Sequence, residues 1–298
     1  MKYFKSIKRI VCENRYSGHG WNREHTEKYL FQDGDITLEA GYFEHYLDDA
    51  FVKTVIELPV SYGCPSKCQF CASSNISGFY PLEAEEIMAL FQQLYNDHQP
   101  QKKGPLLVSL TGIGDLFFNS RNVLSFLRQL STYDGVQATL SSCLWDRALL
   151  EQVAHLEPQS VIRKLQITFV SDKPDVLRTV IPAYADRAPN LGEVIDFIKT
   201  SNKMYYRINY VLIKGVNDGL CDFQRLRDAL EEVKDKTIVR ISKLNETRAT
   251  ERNSLSRADD GKAEELQALL SAAGVTSYIF CSERNDHMNC GQLVTERS

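Results

Sequence analysis

"TVIELPV" (54–60) runs straight into "SYGCPSKCQFCASSN" (61–75), and this junction decides how the whole chain is read. An apolar β-type run ends in a loop opened by Gly63 and Pro65, which carries Cys64, Cys68 and Cys71 in the spacing C-x3-C-x2-C. Thiols this close point to metal binding or redox chemistry rather than to a disulfide framework. Two metal readings fit. One is a zinc knuckle completed by a distant ligand such as Cys290 or a histidine. The other is an iron–sulfur cluster on three thiolates, leaving one iron open to a substrate or cofactor.

Outward from the junction, strand and helix patterns alternate. β-type runs fall at 106–110, 136–142, 164–170, 206–213, 238–242 and 276–281, with helical spacing at 83–97, 149–156, 191–201, 221–234 and 262–274 and around "PDVLRTVI". About six βα units in succession predict an α/β fold with a parallel sheet and helices outside, a partial (βα)6 TIM-like barrel. Residues 1–50 read differently, as a short β-containing extension with a hairpin turn at Asp33-Gly34, so the expected division is 1–50 and 51–298.

Charge and composition limit the function classes. The 298 residues carry 35 Lys and Arg against 39 Asp and Glu, a net charge of −4, and the basic stretches "QKK" and "RNVLSFLR" are modest and scattered. That balance leans against a large RNA partner. No apolar run reaches membrane-span length and the N-terminus lacks a signal-peptide core, so a cytoplasmic protein with no membrane partner is expected. Cys12 and Cys221 read as small buried hydrophobes.

The cysteine spacing, on the loop after the first strand of a βα array, resembles the radical S-adenosylmethionine superfamily. The resemblance implies a [4Fe–4S] cluster on Cys64, Cys68 and Cys71, with S-adenosylmethionine chelated by the open iron. It also implies an external electron donor such as flavodoxin or ferredoxin, and a 5′-deoxyadenosyl radical as the reactive species.

Further stretches resemble one branch, the enzymes that methylate carbon 2 or carbon 8 of an adenosine in ribosomal RNA. In "SLTGIGDLFFNSRNV", Gly112, Gly114 and Asp115 match their Gly-Met-Gly-Glu-Pro segment; glycines admit close backbone approach and the carboxylate can accept from an ammonium. "TLSSC" implies a cofactor contact at Ser141, "LQITFVSDKPDVL" one at Thr168 and "ISKLNET" one at Asn245. "YVLIKGVNDG" matches a Gly-Val-Asn-Asp loop, and "MNCGQL" places Cys290 where the branch carries its methyl-bearing cysteine. Glu39, with Glu44 as rival, resembles the proton-accepting glutamate.

The sequence also departs from that branch. Its methyltransferases need a resolving cysteine seven residues before the first cluster cysteine, and here that position is Glu57. A carboxylate cannot form the disulfide that releases product. Cys143 in "LSSCLW" is a conceivable substitute. Only about 50 residues precede the catalytic strand, too few for the branch's RNA-binding domain. The expectation is therefore a small-molecule enzyme acting on a purine-like or 7-deazapurine substrate, a lyase of the queuine-salvage type, with RNA adenosine methylation as the alternative. A substrate amine would compensate Glu57, and His19, Trp21 and His45 could close over a planar ring.

Overall fold

A computed structural model of the chain describes residues 2–15, 20–156, 161–201, 205–280, 292, 293 and 295. Three antiparallel strands come first: β1 (Lys5–Arg15), β2 (Arg23–Asp33) and β3 (Ile36–Leu47). Gly34, at φ +56°, makes the β2–β3 turn, and Asp48 and Asp49, both at positive φ, make the next hairpin into β4 (Ala50–Glu57). Short acidic side chains tolerate that left-handed backbone, which matches the twist of paired strands.

Beyond β4 the chain forms a small β5 (Ser61–Tyr62) and β6 (Tyr80–Pro81) ribbon flanking the cysteine loop, then α1 (Ala84–His98). The alternation continues through β7 (Leu106–Leu110), α2 (Ser120–Leu130), β8 (Val136–Ser142), α3 (Arg147–Ala154) and β9 (Ile162–Phe169). Helices α4 (Pro174–Val180) and α5 (Leu191–Thr200) precede β10 (Tyr205–Leu212), and α6 (Leu220–Glu231) precedes β11 (Thr237–Lys243). Last come α7 (Arg248–Arg252), α8 (Asp260–Ala272) and β12 (Ser277–Phe280).

The strands form one sheet in the order β1-β2-β3-β4-β7-β8-β9-β10-β11-β12, with every pairing from β4 onward parallel. Each parallel strand lies beside its predecessor in the chain, the winding of a barrel rather than of a doubly wound sheet. The fold is thus a partial α/β barrel. The stretch expected as an N-terminal extension adds its three strands to the same sheet, through the β3–β4 pairing.

Two helices were not anticipated, the short α7 and the longer α2. "RNVLSFLR", read as scattered charge, lies in α2, which buries Val123, Leu124, Phe126, Leu127 and Leu130. Its apolar residues sit on one stripe, and the arginines on the other face obscure it in the linear sequence. Cys221 also differs from expectation: it is exposed at the start of α6, whereas Cys12 is half-buried and approaches Asn14 Oδ1 at 3.2 Å. Among the described residues, no helix is long and apolar enough to cross a membrane.

Candidate active site

The cysteine loop leaves β5 through Gly63, at φ +68°, where a Cβ would lie 2.2 Å from the Gly78 carbonyl oxygen. Only glycine lets the two ends of the loop close this tightly. Lys67, also at positive φ, donates from Nζ to the Ser74 and Ile76 carbonyls at 3.0 Å each, stapling the loop from inside. Beneath it, the buried Asn119 donates to the carbonyls of Val60 and Leu82 at 2.7 Å each and so fixes the loop to the end of β4. Asn217 works similarly at the far side. Its amide donates to the Val170 and Val211 carbonyls at 2.8 Å each and accepts from the Ile213 N–H, tying together the ends of β9 and β10. The "GVND" segment is therefore a buried clasp.

Cys64, Cys68 and Cys71 line one cavity of about 150 Å³ at the carboxyl ends of the parallel strands. Gly112, Gly114, Asp115, Ser141, Thr168 and Asn245 line the same cavity, as do Glu39 and Glu57. Residues more than 200 positions apart in sequence thus share one wall. Cys290 and His19 lie outside the described residues.

Gly112 packs so closely on β4 that a Cβ would sit 2.8 Å from the Leu58 carbonyl oxygen, and at Gly114 (φ +100°) one would sit 2.1 Å from Ser61 Oγ. Asp115 is fully buried and accepts from the Phe117 N–H (2.9 Å), the Cys143 N–H (2.8 Å) and Ser142 Oγ (2.7 Å). Burial raises its pKa and these donors oppose the rise. Ser141 Oγ accepts from Gln166 at 2.9 Å. A polar chain continues from Ser242 Oγ to Asn209 Oδ1 (2.6 Å) and from Asn209 Nδ2 to Thr168 Oγ1 (3.3 Å).

Gln166, Asn209 and Ser242 were not singled out from sequence. Their signal was polar residues at alternate positions, Lys164-Gln166-Thr168 on β9, Arg207-Asn209 on β10 and Arg240-Ser242 on β11, legible only once the period-2 phase is known.

The two glutamates separate cleanly. Glu39 faces the cavity and accepts from the Thr295 N–H and Oγ1, each at 2.9 Å. Glu44 has the opposite strand parity; it accepts from Tyr42 and Tyr46, pairs with Lys103, and lines neither this cavity nor the one beneath it. Against the cost of burial, those donors hold Glu44 down to about 2.

Glu57 corrects an expectation. Its compensating cation is Lys28 Nζ at 2.5 Å, with Thr111 Oγ1 donating to the other oxygen at 3.0 Å. The chain itself satisfies this carboxylate, so a substrate amine is not needed for the purpose. Trp21 and His45 stack on each other with centroids 4.0 Å apart, and His45 Nε2 lies 2.8 Å from Glu24 Oε2. Cys143 Sγ lies 3.3 Å from Cys68 Sγ, a fourth thiol beside the trio.

The donor set suits a cluster. Three thiols share a cavity wall with glycine-lined backbone, and burial with Asp115 nearby pushes the Cys64 thiol up, so a cationic iron centre is the partner that would hold it as thiolate. Among the described residues, no three His, Cys, Asp or Glu side chains are arranged around a single-ion position.

Three thiols lining a cavity at the mouth of a partial α/β barrel match the arrangement that the resemblance to radical S-adenosylmethionine enzymes implies. The similarity is to proteins named RlmN. Over 285 residues the chain is 27% identical to the probable dual-specificity RNA methyltransferase RlmN of Streptococcus equi subsp. zooepidemicus, covering 90% of this chain and 74% of that protein. The similarly named protein of Streptococcus suis is 26% identical over 289 residues, 91% of this chain and 73% of its own. A radical SAM methyltransferase from Sphaerobacter thermophilus superposes with a TM-score of 0.76 at 20% identity, covering 97% of this chain and 80% of that one. Streptococcus suis SuiB, solved with S-adenosylmethionine bound, superposes at 0.56 and 14% identity over 77% of this chain and 51% of its own. No family model matches the chain.

Proposed function

We propose that this protein uses radical S-adenosylmethionine chemistry to modify a nucleobase, with RNA methylation, the activity named for its relatives, as the leading reaction and an adenine as the base that the resemblance implies. The observation that carries the reading is the convergence of the cysteine trio and the six cofactor candidates on one cavity wall. Cys64, Cys68 and Cys71 would hold the [4Fe–4S] cluster; Gly112, Gly114, Asp115, Ser141, Thr168 and Asn245 would hold S-adenosylmethionine. When bound and given an electron by an external donor such as flavodoxin or ferredoxin, the pair supplies a 5′-deoxyadenosyl radical.

The chain's own residues do the rest. Gly112 and Gly114 keep the wall free of side chains, and Asp115 holds the Ser142–Cys143 backbone in place. Glu39 stands in the cavity as the proton acceptor for the base, positioned by Thr295. Cys290 is the candidate methyl carrier.

A second reading, a small free purine-like or 7-deazapurine substrate including the queuine-lyase type, is favoured by one observation. Glu57, at the position where the resemblance implies a resolving cysteine, is locked to Lys28 and cannot release a thiol-linked product.

The test is anaerobic reconstitution followed by incubation with S-adenosylmethionine, reductant, and either RNA or a panel of purines and 7-deazapurines. Methylated adenosine in the RNA is the expected product. Turnover only with a free base supports the second reading. Colourless protein binding stoichiometric zinc instead of about four irons ends both.

A further inference from the structure

A second cavity, of about 550 Å³, lies on the same concave face of the sheet, toward the amino ends of the parallel strands. Glu57, Thr111, Arg240 and Phe280 line both cavities and form the seam between them. In barrels of this kind the layer is normally filled by branched aliphatic side chains. Here four inward positions are cations: Lys53 on β4, Lys164 on β9, Arg207 on β10 and Arg240 on β11.

Among the described residues, two carboxylates line the cavity, and both are committed. Glu57 pairs with Lys28 at 2.5 Å, and Glu24 is taken by His45 at 2.8 Å and Thr26 at 2.7 Å. Among the described residues, Lys53, Lys164 and Arg240 have no carboxylate within 4.0 Å, and the attraction of Glu24 does not offset the burial of Lys53. Arg240 is only 9% exposed, its guanidinium stacks on Phe280 at 3.6 Å, and its Nε has no hydrogen-bond partner. Burial, together with Arg207, Lys53 and Arg240, holds Lys164 down to about 7. Drawing cations such as Lys53, Lys164 and Arg240 out of water without a close counter-charge is costly, and an anion entering the cavity relieves that cost. Two guanidinium groups and two ammonium groups suit the geometry and charge of a phosphate better than of a single carboxylate. The volume lies in the range of small-molecule sites and exceeds what a lone phosphate fills.

We propose that this cavity is a phosphate subsite, holding the phosphoryl group of a nucleotide whose base reaches the seam beside Glu57. Naming a nucleotide rests on the nucleobase reading above; the anion site stands on the cavity alone.

The experiment is anaerobic titration calorimetry on the cluster-loaded protein with inorganic phosphate, ribose 5-phosphate, adenosine, AMP and a short adenosine-containing RNA. AMP is expected to bind at least about tenfold tighter than adenosine, and Lys53→Gln or Lys164→Gln to remove that advantage while leaving adenosine unchanged. If RNA shows the same sensitivity, the phosphate comes from a polynucleotide; if AMP alone does, from a free nucleotide. Phosphate and ribose 5-phosphate binding that the variants abolish, with no gain from the base, keeps the subsite and removes the nucleobase reading. AMP binding no tighter than adenosine, or unmoved by the variants, overturns the subsite. Wild-type protein gives an independent measure: phosphate should raise its Tm above chloride at equal ionic strength, and no rise counts against the proposal.

Discussion

Lys28 reaches Glu57 across an intervening strand, and the residue between them is Gly41. Lys28 on β2 pairs with Gly41 on β3, Gly41 pairs with Glu57 on β4, and the Lys28 ammonium spans the gap to the carboxylate at 2.5 Å. The two side chains are 5% and 15% exposed. A Cβ at Gly41 would lie 2.4 Å from the Phe43 ring and 3.5 Å from the Glu57 Cβ, so the missing side chain is what leaves the path open.

Replacing one partner of this pair isolates the other. Lys28→Met is expected to cost about 3–5 kcal/mol in chemical denaturation, because it leaves Glu57 charged and buried. Adding Glu57→Gln should restore a large part of that loss. A pair of single variants whose costs simply add would contradict the buried ion pair.

Gly112 is constrained by backbone rather than by a movable side chain. Gly112→Ala must push the new methyl against the Leu58 carbonyl, 2.8 Å away, which lies where β4 leads into the cysteine loop. A loss of about 1–3 kcal/mol is expected, with S-adenosylmethionine binding weakened in the same variant. Thermal unfolding and equilibrium binding check the two parts separately.

Asn119 satisfies the Leu82 carbonyl and adds a second donor to the Val60 carbonyl, which also accepts from the Leu82 N–H at 3.1 Å. Asn119→Ala is expected to destabilise by about 1–3 kcal/mol, chiefly through the Leu82 carbonyl, since the Val60 carbonyl keeps its bond from the Leu82 N–H. It should also slow iron incorporation, measured as iron per chain after anaerobic reconstitution.

Lys164 gives stability an alkaline slope. Its pKa is about 7 when folded, below the ordinary lysine value near 10.4, so between those values the unfolded chain binds the extra proton. Stability should therefore rise with pH across that window, and the penalty should be fully present below about 7. Arg207, Lys53, Arg240 and Arg163 repel its charge; Glu24 and Glu57 also line the cavity, as does His45. Comparing unfolding midpoints of wild type and Lys164→Gln from pH 6 to 10 should show the slope flatten in the variant.

Glu27 acts at the acid end. Burial would raise its pKa, but hydrogen bonds from Arg9, Tyr29 and His25 hold it down to about 2. Its contribution is present above the ordinary value of 4.5 and is lost as pH falls through about 2. Glu27→Gln should remove that part of the acid sensitivity in pH-dependent unfolding.

Local chemistry determined much of this protein in the linear chain. The C-x3-C-x2-C loop after a β-type run, the Gly112-x-Gly114-Asp115 turn and the alternation of strand and helix patterns are short-range features, each carried by neighbouring residues, and together they were enough for a partial barrel and the class of chemistry. Tertiary structure decided what depends on contacts between distant residues. Lys28 meets Glu57 only because three strands align around Gly41, Glu39 rather than Glu44 faces the cavity because of strand parity, and Lys53, Lys164, Arg207 and Arg240 gather only when four separate strands curve round one interior. Side-chain direction and charge compensation are set by register and closure of the sheet, and neither is encoded in any one stretch of residues.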